Sequence, residues 1–236
     1  MSVPDPWSRF RSATRARIAL GRSGDGMPTG AMLDFQLAHA RARDAVHGQV
    51  DFAALAEEIG APSIRVDSAA TSRDSYLRRP DLGRRLDAAS RERLKPGPYD
   101  AVFILGDGLS TAVRHHAAPL LQLCLPELKE WRLGPVILAG QARVALGDEI
   151  GQLMGAALTV MLIGERPGLS VADSLGVYLT WQPRIGRNDS ERNCISNIHA
   201  HGLSYQAAAG RLLWLMRAAK AGQLTGVGLK EEALLP

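Results

Sequence analysis

The stretch YDAVFILGDGLS, residues 99–110, carries five consecutive apolar residues, Ala101 to Leu105, and closes on Gly106-Asp107-Gly108. An apolar run of that length with no polar alternation, stopped by glycines, reads as a strand buried on both faces. The elements on its C-terminal side decide the fold. TAVRHHAAPLLQLCLPELKEW (111–131) reads as a helix broken near Pro126, and GPVILAG (134–140) as a second short strand between glycines. ARVALGDEIGQLMG (142–155) reads as the next helix, AALTVMLIGE (156–165) as a third strand and GVYLTWQP (176–183) as a fourth. SYQAAAGRLLWLMRAAKAG (204–222) closes the series as an amphipathic helix. Apolar strands alternating with helices predict parallel strands covered on both sides. The expected class is therefore α/β: a helical N-terminal region, residues 1–95, then a Rossmann-like doubly wound parallel sheet domain, residues 96–236.

The first 95 residues have a different texture. PWSRFRSATRARIA (6–19), PTGAMLDFQLAHARARDAV (28–46) and a stretch from Asp81 to Leu94 read as helices, with PSIRVDS (62–68) as a short strand between them. No internal repeat or low-complexity segment is visible.

Composition narrows the function classes. With 46% hydrophobic and 22% charged residues the chain of 236 residues can bury a real core. Its two cysteines, Cys124 and Cys194, form no metal-binding or disulfide pattern, which fits a reducing compartment. The N-terminus has no apolar core of signal-peptide length, and no stretch reaches the roughly 18 apolar residues of a membrane span. A soluble intracellular protein is expected, with no membrane partner. Arginine is concentrated in RFRSATRARIALGR (9–22) and LRRPDLGRRLDAASRERLK (77–95). Those clusters lack interleaved aromatic residues and are interrupted by Asp and Glu, so a solvated or docking face is expected rather than nucleic-acid binding.

Four places could carry chemistry. GERPGLSVADSL (164–175) puts Glu165, Arg166 and a Pro167-Gly168 kink at the end of the third strand, and strand carboxyl ends are where ligands sit in such sheets. Arg166 stays open between a ligand, a partner and a pair with Asp173. Gly106-Asp107-Gly108, with Ser110 and Thr111 as caps, forms either a phosphate-holding turn or a simple tight turn. Cys194, near Asn193, Asn197 and His199, is a conceivable nucleophile without an orienting third group. NIHAHG (197–202) nearly spells Asp-x-His-x-x-Gly, a signature for histidine on the cobalt of cobalamin, but Asn197 stands where the carboxylate belongs. An amide lacks the charge that raises the basicity of a ligating imidazole, so a packing role for His199 is expected. No complete catalytic apparatus is present.

Several stretches together resemble one family, the small (light) subunit of ethanolamine ammonia-lyase. They are TRARIALGRSGDGMPT (14–29), AHARARDAV (38–46), SRDSYLRRPDLGRRL (72–86), GDGLST (106–111), ARVALGDEIG (142–151), IGERPGLSVADSLGVYLTWQPRIGRNDSERNCISNIH (163–199) and GLSYQAAAGRLLWLM (202–216). The resemblance implies a bacterial lyase that converts ethanolamine to acetaldehyde and ammonia with adenosylcobalamin. It implies a hetero-oligomer in which the large subunit, a TIM barrel, holds ethanolamine and the catalytic side chains, while the small subunit helps enclose the cofactor. This chain then has no catalytic residue and is inactive alone, with its N-terminal region docking on the large subunit. Its implied cobalamin contacts are Val144, Glu165 and Cys194. The cofactor keeps its own base on cobalt, so no protein ligand to the metal is implied. Relatives from enteric bacteria have a longer N-terminal extension associated with packaging in a bacterial microcompartment. The short start here leads to the expectation of a cytoplasmic enzyme, with packaging left open. A different reading, independent of the resemblance, is a stand-alone α/β hydrolase or transferase that uses Cys194.

Overall fold

The computed structural model describes residues 5–14 and 16–230. Six strands form one sheet in the order β1-β3-β2-β4-β5-β6. They are β1 Ser63–Asp67, β2 Ala101–Gly106, β3 Val136–Gly140, β4 Leu158–Gly164, β5 Leu175–Trp181 and β6 Arg192–Ile198. The helices are α1 Ser8–Ala13, α2 Thr29–His47, α3 Phe52–Ile59, α4 Arg73–Arg78, α5 Ala88–Arg93, α6 Val113–Cys124, α7 Leu146–Met154 and α8 Tyr205–Gly222. The α/β class expected from the sequence is the one observed.

Every residue of β2, β3 and β4 is buried, which explains their unbroken apolar text. Side chains alternate across the sheet with a period of two, so one run feeds two cores. Phe103, Leu105, Val160, Leu162, Val177 and Leu179 face α6 and α8, with Phe52 and Leu55 of α3 at the border. Val102, Ile104, Ile137, Ala139, Met161 and Ile163 face Leu146, Ile150 and Met154 of α7, with Leu86 and Leu94 completing that side.

Two expectations need correction. The strands are not all parallel: β1, β3, β2 and β4 are, whereas β5 runs antiparallel to β4 and β6 antiparallel to β5. The segment between β4 and β5 contains no helix, and without a crossover helix the chain returns down its neighbour. The polar segment around Cys194 is itself a strand, β6. It lies at the edge of the sheet with one wet face, and only Arg192, Ile195 and Ile198 along it are buried. The second correction concerns 81–94, which is not one helix. A single 3-10 turn at Leu82–Arg84 gives way to an extended Arg85, and α5 starts afresh with Asp87 capping Ser90 N at 2.7 Å. The Leu86 N–H is drawn to the buried Glu149 carboxylate at 2.7 Å, which straightens the chain there.

Helix α1 is shorter than its expected span, and α3 and α4 form where no helix was expected, each on local capping signals. Asp51 caps α3 through Ala53 N and Ala54 N, Gly60 ends it in the left-handed conformation, and Ser72 with Ser75 closes a capping box on α4. The short strand expected at 62–68 is β1, which pairs with β3 in the common sheet. Among the described residues no helix is long and apolar enough to cross a membrane.

Candidate functional site

The chain passes from β2 to β3 on one side and then to β4 on the other, so the loops after β2 and β4 leave the sheet in divergent directions. Such a switch point opens a crevice at the strand carboxyl ends. Here the two loops are locked together at their bases. Leu109 N donates to Gly164 O at 3.0 Å. Gly108 holds φ +61°, and a Cβ on it would stand 2.3 Å from Gly164 O. A Cβ on Gly164 would stand 2.0 Å from Ser110 O. These glycines are needed for backbone-to-backbone approach.

Asp107, between the two glycines of the turn, accepts from Gln141 N at 2.9 Å and Ala142 N at 3.0 Å, tying the end of β2 to the loop after β3. Burial pushes its pKa up, against the pull of those amides and of the Arg73 guanidinium. Ser110 and Thr111, expected to cap the following helix, do not: α6 has no side-chain cap, and Ser110 Oγ is buried without a partner. The Gly-Asp-Gly stretch thus works as a joint between three strand ends, with a carboxylate where a phosphate site would want a cation.

A cleft of about 290 Å³ lies beside this joint, lined by Val144, Ile163, Gly164, Glu165, Arg166 and Tyr178, with Tyr76 and Arg143 at its back. Tyr76 is fully buried, donates to Ala142 O at 2.9 Å, and lies between the guanidinium groups of Arg73 and Arg143, 4.8 and 4.2 Å from its ring centroid. Burial raises its pKa to about 12, so its hydroxyl serves only as a donor. The stack holds Arg143 and, with it, the neighbouring Val144. Val144 is half-buried and sits two residues before α7, in the turn leading into the helix rather than at its first position.

Glu165 leaves β4 at the cleft's rim. Its Oε2 accepts the Ser174 hydroxyl and the Asn197 N–H, the latter at 3.2 Å. Its own N–H donates to Ser174 O at 2.9 Å. Cys194 lies on β6 directly opposite Tyr178 of β5, one of the cleft residues. Of the residues expected at a site, Val144 and Glu165 therefore share one cleft, and Cys194 stands one cross-strand pair away. Cys194 is exposed, yet desolvation raises its thiol pKa, outweighing the opposing hydrogen bond with Tyr178, with a smaller upward push from the Glu165 charge. A raised pKa is the reverse of what an activated nucleophile needs.

His199 does not point a free nitrogen at any ligand. Its Nε2 lies 2.8 Å from Asn197 Oδ1, and its Nδ1 accepts from His201 N at 3.2 Å. In NIHAHG the last two residues of β6 thus run into a turn held by His199. Asp173, a candidate partner for Arg166, pairs instead with His116 of α6, whose Nε2 is 3.1 Å from Asp173 Oδ2 and whose Nδ1 is 2.7 Å from the Tyr205 hydroxyl. This pair pins the end of the loop that begins at Glu165. It borders a larger cavity, about 480 Å³, between that loop and α2, lined by Leu169, Asp173 and His199 but by none of Val144, Glu165 and Cys194. Among the described residues no group of His, Cys, Asp and Glu is arranged to hold a metal ion. Sequence reasoning missed Tyr178, Ser174 and Asn197 as parts of the site, because their roles arise from strand pairing and not from spacing along the chain.

Fold and cleft together define an α/β protein with a crevice at the switch point of its sheet. Comparison with known proteins gives the family. Residues 4–230 match the family model described as ethanolamine ammonia-lyase light chain. The ethanolamine ammonia-lyase small subunit of Pseudomonas fluorescens strain Pf-5 is 53% identical over 241 residues, covering 97% of this chain and 88% of that protein. The small subunit from Pseudomonas syringae pv. tomato DC3000 is 52% identical over 243 residues, covering 98% and 85%. The chain belongs to the ethanolamine ammonia-lyase light-chain family.

Proposed function

We propose that this chain is the non-catalytic subunit of an adenosylcobalamin-dependent ethanolamine ammonia-lyase, gripping one edge of the cobalamin while a large subunit carries ethanolamine and the catalytic side chains. The observation that supports this best is Glu165: its Oε2 is tied to the Ser174 hydroxyl and the Asn197 N–H, and the residue lines the cleft, where a carboxylate is a hydrogen-bond acceptor. The peripheral carboxamides of a corrin are donors that suit it. Val144 would offer an apolar edge, and Tyr178 with Cys194 the opposite wall. A cleft of about 290 Å³ is far smaller than a corrin, so the remainder of the ligand would lie against the large subunit. When bound, the cofactor supplies the radical chemistry; the residues of this chain bind and orient it and keep water from its edge. The engagement of both His199 nitrogens supports a cofactor that keeps its own base on cobalt.

A docking face for the large subunit is supported by α2. None of its nineteen residues is buried, and Met32, Leu33, Phe35 and Leu37 are 43%, 58%, 40% and 50% exposed. Most helical stability comes from packing, and α2 leaves these apolar side chains exposed around its circumference. The rival reading, a Cys194 hydrolase, is opposed by the raised thiol pKa and by a tyrosine, not a histidine, as its neighbour.

The test is reconstitution. This chain alone is expected to release no ammonia from ethanolamine, and addition of the large subunit with adenosylcobalamin is expected to restore turnover. Ammonia release by the isolated chain, or a complex with the large subunit that takes up no cobalamin, overturns the proposal.

A further inference from the structure

Helix α2, nineteen residues long, buries none of them, whereas α6, α7 and α8 bury seven each and even the six-residue α4 buries Tyr76. Its start is weakly closed as well: Pro28 stands at the N-cap without a side-chain bond, and the first turn holds no acidic residue. The side turned toward the rest of the chain does not pack either. Asp34, Leu37, Ala38 and Arg41 line one wall of the cavity of about 480 Å³ whose other wall is the loop 169–173. At 100° per residue, the exposed Met32, Leu33, Phe35 and Leu37 spread over about 200° of the helix circumference. A helix lying on a surface needs an apolar stripe of about 100°, so twice that width marks a helix made to be enclosed on more than one side. The C-terminal end is fastened. Val46 O accepts from Arg73 Nε at 2.6 Å, and a Cβ on Gly48 would stand 2.7 Å from Thr111 Cγ2. The same guanidinium donates to Gly108 O at 2.8 Å, so this anchor is part of the joint beside the cleft. Ahead of α2 the tie is an exposed one, Arg17 Nη2 to Leu169 O at 3.2 Å.

We propose that α2 folds onto the large subunit: residues 29–45 hold their helical form in the complex and only fleetingly in this chain alone, docking from a fixed hinge at residues 46–48. The inference rests on the reading of α2 as the docking face and adds that formation of this helix and docking are one step. Ordering a helix costs backbone entropy at every residue, and a helix of this length without a packed face is marginal in water. Removing Met32, Leu33, Phe35 and Leu37 from water supplies the stabilisation that the rest of this chain does not. The cover that fits is an apolar groove that takes two sides of the helix and carries carboxylates opposite Arg41 and Arg43. Both arginines are exposed and form no ion pair among the described residues. Because the ordering cost falls on the binding step, affinity depends on the helical propensity of α2 as well as on its contacts.

The experiment follows backbone amide exchange in the full-length chain, alone and in its complex with the large subunit. Amides of residues 33–45 are expected to exchange about 100-fold or more slowly in the complex, while those of β2, β3 and β4 are protected in both. A second readout compares Gln36→Ala with Gln36→Gly at an exposed position, where the two variants differ in helical propensity. Their affinities for the large subunit are expected to differ about fivefold, while the two isolated chains share one urea midpoint. Protection of α2 in the isolated monomer, separate urea midpoints or equal affinities overturns the inference and leaves α2 as the docking face. Protection that grows with the concentration of the isolated chain assigns the cover to a second copy and overturns it too. Unprotected α2 in a complex that has formed overturns the docking reading as well, so the two failures are distinguishable.

Discussion

The guanidinium of Arg192 on β6 grips the carboxylate of Asp148 on α7 with two bonds, 2.6 and 2.7 Å, and each side chain is only 2% exposed. Thr180 of β5 accepts a third bond from the same guanidinium at 2.9 Å. The pair fastens the polar edge strand to a helix on the far side of the sheet, two residues before Cys194. Removing one member of a buried pair strands the other charge without solvent, at a cost of about 3–5 kcal/mol. Arg192→Ala is therefore expected to lower the stability measured by urea denaturation by about that amount. A value under about 1 kcal/mol would show that the pair is not structural.

Asp100, just before β2, accepts from Arg132 at 2.9 Å and lies 3.2 Å from Lys220 of α8. Its side chain is 13% exposed, and the Arg132 bond, ahead of the Lys220 contact, holds its pKa well below the ordinary carboxylate range. A depressed folded pKa contributes stability that is full above the unfolded value of about 3.9 and is lost as pH falls through the folded one. Asp100→Asn is expected to cost about 1–2 kcal/mol at pH 7, reduced by the exposure of Arg132, with the difference from wild type shrinking below pH ~4. Unfolding curves collected at several pH values check this, and a difference that grows toward acid contradicts it.

Cys194 is expected to react sluggishly with iodoacetamide near neutral pH and to accelerate only above the ordinary thiol value of about 8.5, since desolvation of its sulfur, aided by the Glu165 charge, raises its pKa. Cys194→Ser should leave turnover of the reconstituted complex within a few-fold of wild type while weakening cobalamin binding. Abolished turnover at unchanged cobalamin occupancy would point back to a nucleophile.

The exposed apolar residues of α2 predict a separation between folding and assembly. Leu33→Glu and Phe35→Glu change residues that are 58% and 40% exposed, so the isolated chain should lose no more than about 0.5 kcal/mol. Affinity for the large subunit, measured by titration calorimetry, should fall tenfold or more if these side chains anchor the interface. Unchanged affinity would move the docking face elsewhere.

Local sequence determined the central layer of this protein. Unbroken apolar runs such as Ala101–Leu105 require burial on both faces, and a glycine stops each at its carboxyl end, so β2, β3 and β4 are legible from the residues alone. Position at a strand's carboxyl end likewise marks Glu165 from the sequence. The C-terminal strands are harder to read. Nothing in RNCISNI distinguishes a loop from an edge strand, because an edge with a wet face needs few apolar residues. The direction of β5 depends on the absence of a crossover helix, a property of the whole connection. Tertiary structure alone decided that Asn197, remote from Glu165 in sequence, would turn its amide onto that carboxylate through a bulge. It also decided that Asp107 would tie the end of β2 to the loop after β3 where a phosphate turn was conceivable. Periodicity along the chain reports which side chains leave water, since burial acts residue by residue; which donor meets which acceptor depends on register between strands, and register is settled only when the sheet assembles.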